Sequence, residues 1–230
     1  MMRMMARVGP ALVGIAVTSV MLGAVSNRAR DARVIIPEPA LDVPLASHGG
    51  DQKAVLAGGC FWGTQLVFQH VRGVKRVVSG YAGGEASTAH YDQVGSGTTG
   101  HAESIEITYD PSKISYGQLL KVFFSVAHNP TELNQQGPDE GTQYRSVIFF
   151  NSPDQERVAR AYVAQLDQAK VFAGPIVTQV VALPGFYPAE DYHQNYGTLH
   201  PASLYILVND HPKVLFLQKE WPKLYRDAIQ

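Results

Sequence analysis

The chain is short of the residues on which several large protein classes depend. It has one cysteine in 230 residues, so no disulfide can close within it and no cysteine-based zinc cluster can be written. Its eight histidines are scattered. The formal net charge is −1 and no basic block occurs, which removes the electrostatic footprint of a nucleic-acid binder. Internal repeats, low-complexity tracts and sustained heptads are also missing, so neither a solenoid nor a coiled coil is expected. One long uncharged run, rich in apolar residues, lies at the N-terminus.

That run extends from Val8 to Val25 behind Arg3 and Arg7, a positively charged start and an apolar core of signal-peptide to short-span length. Ala24-Val25-Ser26 supplies small residues where cleavage needs them. Pro10 and several glycines argue against a firm membrane span, and Arg28, Arg30 and Arg33 weigh against translocation, since positive charge tends to stay cytoplasmic. The expectation is export: residues 1–26 as a signal peptide or N-terminal membrane anchor, in a periplasmic or other extracytoplasmic location. Residues 27–51, with Pro37, Pro39, Pro44, Gly49 and Gly50 and no periodicity, read as a flexible linker. Residues 52–230 are then one domain with a substantial core.

The single cysteine stands in Gly58-Gly59-Cys60-Phe61-Trp62-Gly63. Val55-Leu56-Ala57 reads as a strand before it, and Thr64, Leu66, Val67, His70 and Val71 follow at helical spacing. Cys60 is therefore expected at the first turn of a helix, where free N–H groups and the helix dipole lower a thiol pKa. An inert buried cysteine is the bland alternative, because free cysteine is among the most buried residue types. Two large aromatics in a glycine-flanked turn suit a pocket wall better than a core.

Further motifs follow in order: Gly80-Tyr81-Ala82-Gly83-Gly84, Tyr91, Gly100-His101-Ala102-Glu103, Gly141-Thr142-Gln143-Tyr144-Arg145-Ser146 and Pro188-Ala189-Glu190-Asp191-Tyr192-His193. With the GCFWG string they resemble, from about Ala54 to Arg226, the class A peptide methionine sulfoxide reductases. The resemblance implies reduction of methionine S-sulfoxide, free or in proteins, by a thiol, and so a role in protein repair under oxidative stress. Cys60 is the implied nucleophile and Glu103 the implied acid. Tyr91 and Tyr144 are implied to hold the sulfoxide oxygen, Asp139 to bond substrate or water, and Phe61 and Trp62 to cage the substrate methyl group. For Glu103 the residues add an argument of their own: it shares one strand face with Ile105 and Ile107, and a carboxyl held among apolar groups keeps its proton. A solvated carboxylate at a strand end is the alternative.

The chemistry then requires a Cys60 sulfenic acid and a second thiol to reduce it. Many relatives carry further cysteines near the C-terminus, and often one where Gly95 stands. This chain has none, so regeneration must come from another molecule, either a thioredoxin-fold protein or a small thiol. No bound cofactor or metal is implied. Smaller departures from the family pattern are Gln65 for glutamate, Asn129 for aspartate, and Pro138 beside Asp139.

Other patterns carry less. Gly95 to Gly100 spells G-x-G-x-x-G, yet a strand follows it where a dinucleotide site needs a helix. Glu190 and His193 have E-x-x-H spacing without a second pair, which reads as a solvated face. His101 is given a structural role. Two rival functions remain: a hydrolase or acyltransferase using Cys60 with His101, and a non-catalytic module binding methionine-containing segments.

For the fold, helical spacing recurs at Leu119, Leu120, Phe123, Phe124 and Ala127 and again at Val158, Ala161, Tyr162, Leu166 and Ala169. Strands are expected at 74–78, 105–109, 146–150 and 176–183. Alternating helices and strands give an α+β layer sandwich. The resemblance makes it a ferredoxin-like two-layer α/β sandwich with long functional loops.

Overall fold

A computed structural model describes residues 34–47 and 49–227. The expected signal peptide or anchor, residues 1–26, lies outside the described residues. So does the first part of the expected linker.

The chain runs through β1 (Gln52–Gly58), α1 (Phe61–Gln69), β2 (Val74–Ala82), a short α2 (Tyr91–Val94), β3 (Ala102–Tyr109) and α3 (Tyr116–Val122). There follow a hairpin of β4 (Gln135–Gln136) and β5 (Asp139–Glu140), then β6 (Ser146–Phe150), α4 (Pro153–Ala169), β7 (Gln179–Ala182) and β8 (Phe186–Pro188). Two further helices, α5 (Tyr196–Leu199) and α6 (His211–Glu220), complete it. Six strands form one sheet in the order β7-β6-β1-β3-β2-β8, parallel only between β6 and β7. Its inner four strands, β6-β1-β3-β2, with α1 and α3 as crossovers, make the expected ferredoxin-like βαββαβ unit.

Period-two alternation sorts the side chains. Ala54 and Leu56 of β1 join the main core with Ile105, Ile107, Phe68 and Phe123, whereas Val55 and Ala57 pack on the opposite face with Val147 and Phe149. The periodic run from Leu119 to Ala127 does not stay α-helical. It passes from α3 into a π turn at Phe123–Ala127, and all five of those residues are buried. Helix α1 is buried along nearly its whole length, so its polar side chains must find partners inside. Gln65 does so by donating from Nε2 to the Val77 carbonyl (3.0 Å) while Oε1 accepts the Asn195 N–H (2.7 Å). A carboxylate cannot make that donation, which gives the glutamine at this position a physical reason.

Residues 34–47 correct the expectation of a flexible linker. They form a strap across α3 and α4. Ile36 is buried in the main core, the Pro37 carbonyl accepts the Tyr162 hydroxyl (2.7 Å), and Glu38 pairs with Lys121. Asp42 accepts the Ser115 hydroxyl and the Gly117 N–H (2.8 Å), adding to the capping box that Ser115 makes with Gln118 at the start of α3. The prolines had suggested a passive tether, but a proline-set extended backbone loses little entropy when it docks. Asp42→Ala is expected to lower unfolding free energy by about 1–2 kcal/mol, read by urea titration, with turnover unchanged. An unchanged midpoint would mean the strap lies on the domain without supporting it.

Candidate active site

The turn from β1 into α1 is made at Gly59, whose φ of +85° suits glycine, and a Cβ there would lie 2.4 Å from Gln136. That turn delivers Cys60 to the N-cap position of α1, half-buried, as its neighbours in sequence predict. The consequence for its thiol is opposite to the expectation. Burial, then the nearby carboxyls of Glu103, Asp210 and Asp139, push the Cys60 pKa well up, and only the Trp62 backbone N–H favours the thiolate. The helix start does contribute. It is outweighed first by burial and then by acidic groups that come from distant parts of the chain.

Glu103 enters from β3, opposite Tyr81 of β2, and is 4% exposed on the same face as Ile105 and Ile107. Its Oε2 accepts the Phe61 N–H (3.0 Å), which ties the carboxyl to the residue following Cys60. Desolvation raises its pKa to about 8 despite that bond, with Asp139 adding to the effect. At neutral pH Glu103 is thus chiefly a neutral acid, its free oxygen able to carry the proton.

Tyr91, at the start of α2, and Tyr144, in the turn Thr142–Tyr144, are half-buried beside these groups. Burial raises both hydroxyl pKa values, and Glu103 and Cys60 raise both further, so both tyrosines are held as proton donors. Asp139 lies on β5, where Pro138 closes the hairpin, and its carboxylate accepts the Tyr205 hydroxyl. Five expected residues, Cys60, Glu103, Tyr91, Tyr144 and Asp139, therefore share one electrostatic neighbourhood. Trp62 is half-buried, stacked on Tyr196 with ring centroids 3.7 Å apart. Phe61 is 1% exposed and packed against Tyr81 and His193, so its ring presents little free surface and backs the site from the core.

Sequence reasoning dismissed Glu190 and His193 as a solvated face, and that is wrong. His193 is buried, and its Nδ1 accepts the Trp62 indole N–H (3.2 Å). Burial lowers the His193 pKa, which keeps that nitrogen free to accept. Glu190 accepts the Tyr81 hydroxyl (2.8 Å) and the Tyr91 backbone N–H (3.0 Å), fixing where α2 begins. Asp210, buried beside α1, was not foreseen either. The clue available was the Pro188 to His193 motif itself. Its residue types were polar, and their partners lie 100 or so positions away.

His101 is a loop fastener. Its Nδ1 accepts the Gly84 N–H (3.2 Å) and its Nε2 faces the Glu85 carbonyl (3.0 Å), so both ring nitrogens are committed and neither serves Cys60. The Gly95–Gly100 segment is a turn leading into β3, not into a helix. Arg145 clamps it from the facing loop through the Gly100, His101 and Thr142 carbonyls (2.8, 3.0 and 2.9 Å). This joins the segments bearing Glu103 and Tyr144. Asn129 caps a local turn through Thr131, and its backbone N–H and carbonyl pair with the Gln136 side chain on β4.

The chain is similar to known proteins in sequence and fold. A family profile described as "Peptide methionine sulfoxide reductase" matches residues 52–225. The chain is 58% identical over 178 residues to "Peptide methionine sulfoxide reductase MsrA 2" of Mesorhizobium japonicum, covering 77% of this chain and 91% of that protein. It is 50% identical over 198 residues to the protein of the same name from Synechocystis, covering 85% and 91%. Among solved structures, reduced Mxr1 of Saccharomyces cerevisiae matches with a TM-score of 0.60 and 34% identity, over 66% of this chain and 86% of that one. Methionine sulfoxide reductase A of Corynebacterium diphtheriae matches with a TM-score of 0.59 and 32% identity, over 75% and 89%. With the βαββαβ sheet, a lone cysteine at a helix start and a protonated carboxyl tied to the next residue, these matches place the chain in the peptide methionine sulfoxide reductase family, as an oxidoreductase of methionine sulfoxide.

Proposed function

We propose that Cys60 takes the oxygen from the S epimer of methionine sulfoxide, free or in proteins, with Glu103 managing the proton. The observation that carries this reading is the neutral Glu103 carboxyl, bonded to the Phe61 N–H one residue from the nucleophile.

The site rests with its protons on the thiol and on Glu103. As the Cys60 sulfur bonds to the substrate sulfur, Glu103 protonates the sulfoxide oxygen and the thiol proton replaces the one given up. The hydroxyls of Tyr91 and Tyr144 donate to the same oxygen while charge develops on it. The sulfur–sulfur contact then resolves with oxygen on Cys60: cysteine thiol plus methionine sulfoxide yields cysteine sulfenic acid plus methionine. Two electrons pass from the cysteine sulfur to the substrate sulfur. Trp62, fixed by His193 and Tyr196, supplies an apolar surface for the methyl group, with Phe61 behind it.

An external thiol next attacks the sulfenic acid, releasing water and leaving a mixed disulfide. A second thiol returns Cys60 to its reduced form. No other cysteine exists in the chain to do this, so a thioredoxin-fold protein or a small thiol is the reductant. Export, proposed from the N-terminal run, makes oxidised envelope proteins the substrates within reach.

The test is a single turnover without added thiol. The purified protein is mixed with excess S-epimer or R-epimer substrate, and methionine and trapped sulfenic acid are counted. About one methionine per chain from the S epimer alone, with the sulfenic acid on Cys60, is the expected result. A folded, reduced protein that yields neither would overturn the assignment.

A further inference from the structure

The last helical run of the chain has one face that nothing covers. It extends from Leu204 through a π turn at Ile206–Asp210 into α6. Its inner side packs on the domain: Ile206 and Val214 meet Leu66 of α1, and Leu217 joins the main core. On the outer side Leu204, Leu207, Val208 and Leu215 are 76, 49, 58 and 51% exposed, at spacings that keep them on one side of a helix. The other exposed positions of the run are His211, Gln218 and Lys219, so none carries a carboxylate. Asp210 is buried, and Glu220 is paired with Lys219 (2.8 Å). A helix face bathed in water normally mixes both charges. One that is apolar with a basic, acid-free border has the composition of a helix lying in a bilayer interface.

The point where the strap enters the domain names the occupant. The Val34 N–H donates to the Ser125 carbonyl (3.2 Å), the Val34 carbonyl accepts the Ser125 hydroxyl, and that hydroxyl accepts the Trp221 indole N–H (3.0 Å). Val34 therefore lies beside the C-terminal end of α6, and the next residue, Ile35, is 63% exposed. The chain between Val25, where the uncharged N-terminal run ends, and Val34 spans at most about 30 Å, and the helical run is itself about 25 Å long. An anchor ending at Val25 is thus within reach of the whole exposed face. In the connection Arg28, Arg30 and Arg33 outnumber Asp31, which suits anionic headgroups.

We propose that the face made by Leu204, Leu207, Val208 and Leu215 docks on the surface of an anionic lipid bilayer, beside the membrane anchor supplied by residues 8–25. The inference rests on reading that run as an anchor. The run itself is a poorer occupant of the face, because it is apolar on every side and would keep its outer side in water. Docking brings the catalytic site to the membrane. Tyr205, between Leu204 and Leu207, meets the Trp62 ring edge-on with centroids 5.9 Å apart, so methionine sulfoxide in polypeptide segments at the bilayer surface becomes the substrate nearest to hand.

The test uses the full chain carrying Cys60→Ser, reconstituted in vesicles of phosphatidylethanolamine and phosphatidylglycerol. An environment-sensitive fluorophore is attached through Val208→Cys or, on the opposite face of the sheet, through Lys53→Cys. Brominated acyl chains are expected to remove about half or more of the emission at Val208→Cys, as for a group about 5–10 Å into the headgroup and acyl boundary, and to leave Lys53→Cys unchanged. Adding Leu204→Ser and Leu215→Ser is expected to abolish most of that quenching while the chain stays on the vesicles. In the chain that keeps Cys60, the same two substitutions are expected to leave turnover of free methionine sulfoxide at the parent rate.

A chain that does not stay on the vesicles overturns the anchor reading and the docking with it. A retained chain in which Val208→Cys is not quenched, or is quenched no more than Lys53→Cys, overturns the docking and leaves the anchor standing. Val208→Cys shielded from aqueous iodide yet untouched by the brominated chains also overturns it, since a second copy or the N-terminal run then covers the face.

Discussion

Cys60→Ser is expected to abolish methionine formation, by about 10⁴-fold or more, in a protein that still folds and still binds substrate. A hydroxyl is close to the thiol in size, and Cys60 makes no side-chain cap bond to α1, so the helix start survives the exchange. The reaction does not survive it. Oxygen transfer needs a sulfur that can be oxidised by two electrons, and serine has no equivalent state. Substrate affinity, measured by quenching of Trp62 fluorescence on adding S-epimer substrate, is expected to stay within about threefold. Activity retained in Cys60→Ser would mean the catalytic thiol assignment is wrong. Activity and affinity lost together would point to a disturbed turn.

Glu103→Gln is expected to cost about 10²–10⁴-fold in the single-turnover rate, the range of a positioned general acid, while making the protein more stable. The amide still accepts the Phe61 N–H but has no proton to give. The parent rate is expected to fall as pH rises through about 8, where Glu103 loses its proton, and the variant is expected to lack that limb. Stability runs as follows. Folding raises the Glu103 pKa from 4.5 to about 8, so between those values the folded chain binds more protons than the unfolded one. Its contribution is therefore fully favourable below the unfolded pKa, declines as pH rises, and leaves the full cost of a buried charge above pH 8. Glutamine escapes that cost. At pH 8.5 the variant is expected to gain on the order of 4–5 kcal/mol in urea unfolding, the gain vanishing near pH 4. A variant less stable than the parent at high pH would show that the Glu103 carboxyl is not held in the environment described.

Much of this site is readable along the chain because its chief members are set by local rules. Cys60 follows from two glycines between a strand and a helix, and Glu103 shares a face with Ile105 and Ile107 through strand alternation alone. The four inner strands and α1 and α3 likewise follow from periodicity. The sign of the Cys60 shift did not follow, because a helix-start argument contains only the nearest backbone. Burial by the folded chain contributes most, and the carboxyls that add to it, Glu103, Asp210 and Asp139, lie 43 to 150 positions further along the chain. His193 and Glu190 were hidden for a related reason: a histidine and a glutamate look solvated until Trp62, Tyr81 and the Tyr91 backbone are known to be their partners. The strap was misread because Ile36 and Asp42 have no periodic neighbours to mark them as buried or capping.

The strap also decides how the domain meets mechanical load. A pull on the chain ahead of Val34 reaches the Val34–Ser125 backbone bond first, then the Ile36 packing, the Glu38–Lys121 pair and the Asp42 cap in turn. These contacts break one after another, each at low force, and each releases a little slack. Only after residues 34–47 have peeled away does tension arrive at β1, where strand pairing on both sides must yield together. The strap is thus a sacrificial fuse, spent before the strand that leads into Cys60 is strained.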